Sequence, residues 1–294
     1  MILGGHIVGR IAEAPPVVLP VVGQLYPWQT VFIVVGLPGL LMALLMMTVR
    51  EPARRESLPS GDGAAHISLK DAVSFVGTRF RMYGSHFLGL AMVATLAYGM
   101  FAWIPTMFIR TWGWSIADIG MAYGIVTLAA GPLAAVWASL LGERLSAKGY
   151  EDAQMRAALI SLVIAVVGAV GAALSPTPWI AVALLLPASV GTTAATGSGL
   201  SALMTVTPNQ MRAQCSALYY LVVNLFGLTL GPTGIAVFTD YVFGDLGALR
   251  YSVACVSVLA GAVSAVVLTY NLRQYRKAYL ESQSWSAATA SASS

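Results

Sequence analysis

MRAALISLVIAVVGAVGAAL, from Met155 to Leu174, holds one cation in its first turn and one hydroxyl, Ser161, between otherwise apolar positions. A helix of that length reaches about 30 Å, the thickness of a bilayer's hydrocarbon core, and only a helix satisfies its own backbone polar groups there. Six further stretches have the same character: Thr30 to Val49, His86 to Ile109, Ala117 to Leu141, Trp179 to Val206, Met211 to Thr239 and Arg250 to Asn271. Charged residues make up 10% of the chain and hydrophobic residues 57%, whereas a soluble domain carries about 25% charge. The expected fold class is therefore all-α, a polytopic helix bundle in a membrane.

The cations of the gaps confirm that partition and give it a direction. Of the 16 Lys and Arg residues, thirteen fall in alternate gaps: Arg50, Arg54, Arg55, Lys70, Arg79 and Arg81; Arg144, Lys148 and Arg156; Arg212; and Arg273, Arg276 and Lys277. The intervening gaps hold only Arg10, Arg110 and Arg250. Positive residues stay on the cytoplasmic side, so the first set is expected inside a plasma (inner) membrane. The same rule accounts for the net charge of +4 without a nucleic-acid partner.

Several chemistries are excluded. All acidic residues lie at or near the ends of the spans, which leaves no mid-membrane carboxylate to carry a proton. Cys215 and Cys255 fall too far apart on neighbouring spans for a disulfide. No His-Glu-x-x-His or phosphate-binding loop occurs, so neither metal nor cofactor is expected. Gly199-Leu200-Ser201-Ala202 faintly resembles an intramembrane serine nucleophile, but that chemistry needs a histidine from a later helix, and His6, His66 and His86 all come earlier. The chain is read as a non-enzyme.

Three landmarks carry a family resemblance. Pro27-Trp28-Gln29-Thr30-Val31-Phe32 with Gly36-Leu37-Pro38-Gly39 and Arg50-Glu51-Pro52-Ala53-Arg54 resembles the fifth loop and sixth helix of the major facilitator superfamily. Trp103-Ile104-Pro105-Thr106 through Trp112-Gly113-Trp114-Ser115 resembles the outer end of its seventh helix in the spinster-like and organic-anion symporter branches. Asn224-Leu225-Phe226-Gly227 with Gly231-Pro232 and Phe238-Thr239-Asp240 resembles the eleventh. A fourth is weaker: Ser139 to Lys148 aligns with the superfamily's cytoplasmic loop pattern, Glu143, Arg144 and Lys148 keeping its charges while serines replace its glycines.

The resemblance implies an organisation. Residues 1–50 correspond to the end of helix five, with Met1 to Val8 as its stub, and to helix six. Residues 51–82 form a cytoplasmic connector, 83–272 the six-helix C-terminal half, and 273–294 a tail expected to be unstructured from Ser282 onward. The chain is expected to be an N-terminally truncated fragment of a secondary active transporter, moving a small organic solute by alternating access. An organic anion is the solute class toward which the branch leans, and the implied partners are that solute, a coupling ion and the lipid bilayer. A non-transporting receptor or scaffold on the same fold is the alternative; charged residues in the first and fourth spans of the full-length protein would favour the transporter.

Polar stripes at helical spacing separate two kinds of span. Thr30 to Val49, Met155 to Leu174 and Arg250 to Asn271 have almost none and are expected to face lipid. The other four carry Thr95, Tyr98 and Thr106; Tyr123 and Thr127; the Ser/Thr/Gly tract of Ser189 to Ser201; and Ala217, Tyr220, Asn224, Gly227 and Gly231. The resemblance names the same four as cavity-lining. Thr95, Tyr98, Tyr123, Thr127, Tyr220 and Asn224 are the candidate substrate-binding residues, and Glu143, Arg144 and Lys148 the candidate gating loop. For the Ser189 to Ser201 tract, close helix packing outweighs binding. Asn224 stands out as an amide well inside a span, where an unpaired amide costs several kcal/mol.

Overall fold

The computed structural model describes residues 17–19, 23–48 and 69–292, with side chains for 23–48 and 70–283. The expected helix-five stub at Met1 to Val8 and most of the connector lie outside the described residues. Seven helices are long and apolar enough to cross a membrane, and they coincide with the seven spans expected from the sequence.

The chain divides into two compact units, residues 1–66 with 115–124, and residues 67–114 with 125–294. In the first, β1 (Val17–Leu19) and β2 (Gly23–Leu25) form an antiparallel hairpin, a small exception to the all-α expectation. Helix α1 (Pro27–Met46) follows. Pro27 sits at its first position, where the missing N–H costs nothing, and the Gln29 side chain accepts from the Tyr26 N–H. Ser115 to Gly124 completes this unit, with Ser115 and Asp118 exchanging hydrogen bonds at the start of α4 (Ile116–Ala147).

The second unit contains α2 (Leu69–Thr78), α3 (Phe80–Trp112), the rest of α4, α5 (Ala153–Leu174), α6 (Pro178–Val206), α7 (Arg212–Val237) and α8 (Leu249–Ala292). At 1.5 Å per residue the 22 residues of α5 span about 33 Å, and the turns lie where apolar sequence stops. Gly113, with φ 68°, ends α3 in the left-handed conformation that only glycine takes without strain. Helix α8 runs on through the Ser/Ala-rich segment expected to be unstructured; alanine is the strongest helix former, and serine does not break a helix already begun.

Small residues set the packing. A Cβ on Gly168 would fall 2.6 Å from the Ala188 nitrogen, and one on Gly191 2.5 Å from the Ala165 nitrogen, so α5 and α6 meet backbone to backbone. Within the Ser189 to Ser201 tract Gly191 serves this seam, Gly199 packs on Leu90 of α3, and Thr193, Gly197 and Ser201 are exposed, while the Thr192 and Thr196 hydroxyls donate back to carbonyls of their own helix. The spans expected to face lipid are not bare cylinders either. Trp137 of α4 donates to the Ser161 hydroxyl, Thr239 to Ser252, and Ser264 to the Gly89 carbonyl, so the sparse polar residues of α5 and α8 turn inward and join helices.

Candidate functional site

Tyr98 on α3 and Asn224 on α7 meet. The Tyr98 hydroxyl donates to Asn224 Oδ1 at 2.6 Å, and Asn224 Nδ2 donates to the Tyr220 carbonyl one turn earlier at 2.8 Å. This pairing answers the cost of an amide in a membrane, yet it leaves one amide N–H, the second lone pairs of both oxygens and the Tyr220 hydroxyl uncommitted by those two bonds. Tyr220 is 48% exposed and Asn224 half-buried. Around them α7 presents an open groove of about 610 Å³ lined by Ala217, Tyr220, Leu221, Asn224, Leu225, Leu228 and Thr229. None of these carries charge, so the wall offers a solute apolar contact, an aromatic face and neutral hydrogen bonds.

The stripe read along α7 divides. Ala217, Tyr220 and Asn224 line the groove, whereas Gly227 and Gly231 are buried against α3. A Cβ on Gly231 would lie 2.5 Å from the Thr95 carbonyl oxygen, and one on Gly227 2.7 Å from the Tyr98 ring. These two glycines let the helices approach closely enough for the Tyr98 hydroxyl to reach Asn224. Thr95 does not join the groove: it is buried and its hydroxyl donates to Ala91 of its own helix. On α4, Tyr123 is buried and Thr127 half-buried, each engaged with a partner, and neither lines the groove.

The gating motif also looks different in three dimensions. Glu143 and Arg144 lie within α4, where Ser139 donates to Glu143 at 2.9 Å, and only Lys148 is in the turn. Helix formation runs through the pattern, with serines where the family pattern has the less helix-favouring glycine. All three charged side chains are exposed.

Sequence reasoning missed four polar contacts. Asp152, at the start of α5, is 0% exposed, and its two carboxylate oxygens take Arg156 at 2.7 Å and Arg276 of α8 at 2.9 Å. Its position beside Glu151 in a loop gave no sign of burial; the i,i+4 spacing to Arg156 was the available clue. Arg250, counted only as an outer cation, donates to the Ala173 and Ser175 carbonyls at 3.0 and 2.7 Å and so caps the end of α5. Asn271 is a second buried amide, donating to the Met82 carbonyl and the Ser85 hydroxyl, each at 2.8 Å. His86, set aside as a catalytic base, is wholly buried, with Nε2 3.0 Å from the Gly199 carbonyl, and ties α3 to α6.

The outer aromatics split in the same way. Trp103 donates to the Pro232 carbonyl at 2.9 Å and thus joins α3 to α7, whereas Trp114 packs edge to face between buried Phe108 and exposed Trp179, with centroids 5.3 and 5.1 Å away. Cys215 and Cys255 are free thiols.

The chain matches the Major Facilitator Superfamily over residues 11–232. A protein described as an MFS-type efflux pump from Mycolicibacterium smegmatis (strain ATCC 700084 / mc(2)155) is 23% identical over 86% of this chain and 58% of its own length. Two crystal structures of a bacterial homologue of the human lysosomal transporter Spinster, inward-facing and unoccupied or occupied, superpose with TM-scores of 0.61 and 0.56 at 21% identity. They cover 88% of this chain and 60% and 59% of theirs, so the chain spans about 60% of the length of the relatives it matches.

Proposed function

The chain belongs to the major facilitator superfamily, a family of membrane carriers rather than enzymes, and from that premise we propose that it forms part of a secondary active transporter for a small organic solute. The observation that carries this proposal is the Tyr98–Asn224 pair opening on the α7 groove. Tyr98, Asn224 and Tyr220 make the centre of the solute wall. Thr127 lies on a helix that the family resemblance names as cavity-lining. Substrate is exchanged between the two sides by alternating access, with the binding site near the midplane between helix repeats. An ion gradient drives the cycle, and Glu143, Arg144 and Lys148 act at the gate on the face that the excess of cations leads us to expect in the cytoplasm.

The lining residues lack a cation, which favours a neutral or amphipathic solute over recognition of an anion by this wall alone. An organic anion therefore needs its counter-charge from elsewhere in the carrier. Symport follows from the branch the sequence resembles; the relative described as an efflux pump supports export instead.

Proteoliposomes holding the carrier test the proposal. Radiolabelled solutes of neutral, amphipathic and anionic class are offered under imposed proton and sodium gradients. Gradient-dependent uptake or release of at least one class is expected, and accumulation against release reads out the sense of transport. Failure of every class under both gradients, with correct insertion shown by cysteine labelling between Arg110 and Asp118 from outside, would favour the non-transporting alternative.

A further inference from the structure

Where α2 gives way to α3, the chain turns beside the far end of α8 and encloses a cleft of about 480 Å³, remote in sequence from the groove residues. Arg79, Phe80 and Arg81 form one wall; Gln274, Lys277 and Glu281 form the other. Three cations and one carboxylate thus share a small space. The carboxylate is already engaged, with Glu281 3.8 Å from the Arg79 guanidinium, which also lies over the Phe75 ring at 4.4 Å. Among the described residues, the side chains of Arg81 and Lys277 have neither an acidic nor a hydrogen-bonding partner.

Arg81 and Lys277 line the same cleft from opposite walls with no acidic partner of their own, so their positive potentials add there and favour an anion between them. The apolar part of the lining narrows its chemistry. Phe80 is 69% exposed at the first residue of α3, six residues before the apolar run that starts at His86, which puts it at headgroup level once that run spans a bilayer. A ligand that satisfies both features has a phosphate on one end and hydrocarbon on the other. Basic pockets between membrane helices on the cytoplasmic side hold such headgroups.

We propose that the cleft formed by Arg79, Arg81 and Lys277 binds a phosphate group, carried by an anionic lipid with its chain along Phe80. The site rests only on the placement of the chain in a membrane and is independent of the transported solute.

Native mass spectrometry of the purified chain, titrated in detergent with phosphatidylglycerol, phosphatidylcholine or inorganic phosphate, tests it. Phosphatidylglycerol is expected to bind at least fivefold more tightly than phosphatidylcholine. Arg81→Gln and Lys277→Gln should each weaken it about fivefold, the worth of one cation near an anionic surface. Glu281→Gln should tighten it, a gain that misfolding cannot mimic. Arg144→Gln with Lys148→Gln removes two charges from the same face outside the cleft and should leave the affinity within about twofold. Equal losses in that control, or no preference for phosphatidylglycerol, would overturn the site. Inorganic phosphate binding as tightly as the lipid would assign the cleft to a soluble anion and overturn the lipid.

Discussion

On one side of α7, Gly227 and Gly231 bring the backbone against Thr95, Tyr98 and Gly99 with no room for a methyl group; on the other, Ala217, Tyr220, Asn224 and Leu228 face open space. The same contrast separates two of the polar contacts between helices. Asp152 is sealed and holds two arginines, each through a separate oxygen, whereas Asn224 is half-buried, neutral and only partly spent. Asp152, which builds the bundle, is buried and has both carboxylate oxygens taken by its neighbours. Asn224, which can meet a solute, keeps hydrogen-bonding capacity and access.

The sharpest way to break this contrast is at the sealed end. Asp152→Ala leaves Arg156 and Arg276 facing each other with no acceptor and should destabilise the bundle by about 3 kcal/mol, toward the lower end of the cost of breaking a buried ion pair because both arginines are partly exposed. Denaturation in detergent, followed by tryptophan fluorescence, measures it; a change below about 1 kcal/mol would mean that Asp152 is not structural. Next in size is Gly231→Leu, which should cost about 2 kcal/mol by overpacking against the Thr95 carbonyl. It should also separate Tyr98 from Asn224, so cysteine cross-linking between α3 and α7 should fall with it. On the open face, Leu228→Ser should shift stability by less than about 0.5 kcal/mol, as for other exposed positions.

The spans were legible because hydropathy acts over twenty residues at a time, and all seven emerged, although α8 runs well past the expected end at Asn271. Asn224 and Tyr98 were legible as well, since an amide inside an apolar run demands a partner and each lies on a polar stripe. What the sequence could not show was azimuth. Spacing put Gly227 and Gly231 on one stripe with Asn224, but the crossing of α3 turns part of that stripe into a packed seam. Thr95 was lost for a related reason: a threonine can satisfy its hydroxyl on its own helix, as it does on Ala91, so its presence on a stripe does not require a cavity. Asn271 only closes the expected span Arg250 to Asn271, whereas α8 continues past it and buries the amide.

The account stands on whether Tyr98 and Asn224 face a solute or merely hold helices together. A single interhelical hydrogen bond in a membrane protein contributes about 0.6 kcal/mol on average, so Tyr98→Phe and Asn224→Leu should each change the melting temperature only slightly. Solute affinity should fall about tenfold in each, the cost of about 1.4 kcal/mol expected when a donor or acceptor to the solute is lost. Measuring Kd and Tm side by side for both variants in the carrier decides it. Weakened binding at nearly constant Tm is the predicted result, and unchanged binding with lowered Tm in both would contradict the account and assign the pair to the packed side of α7.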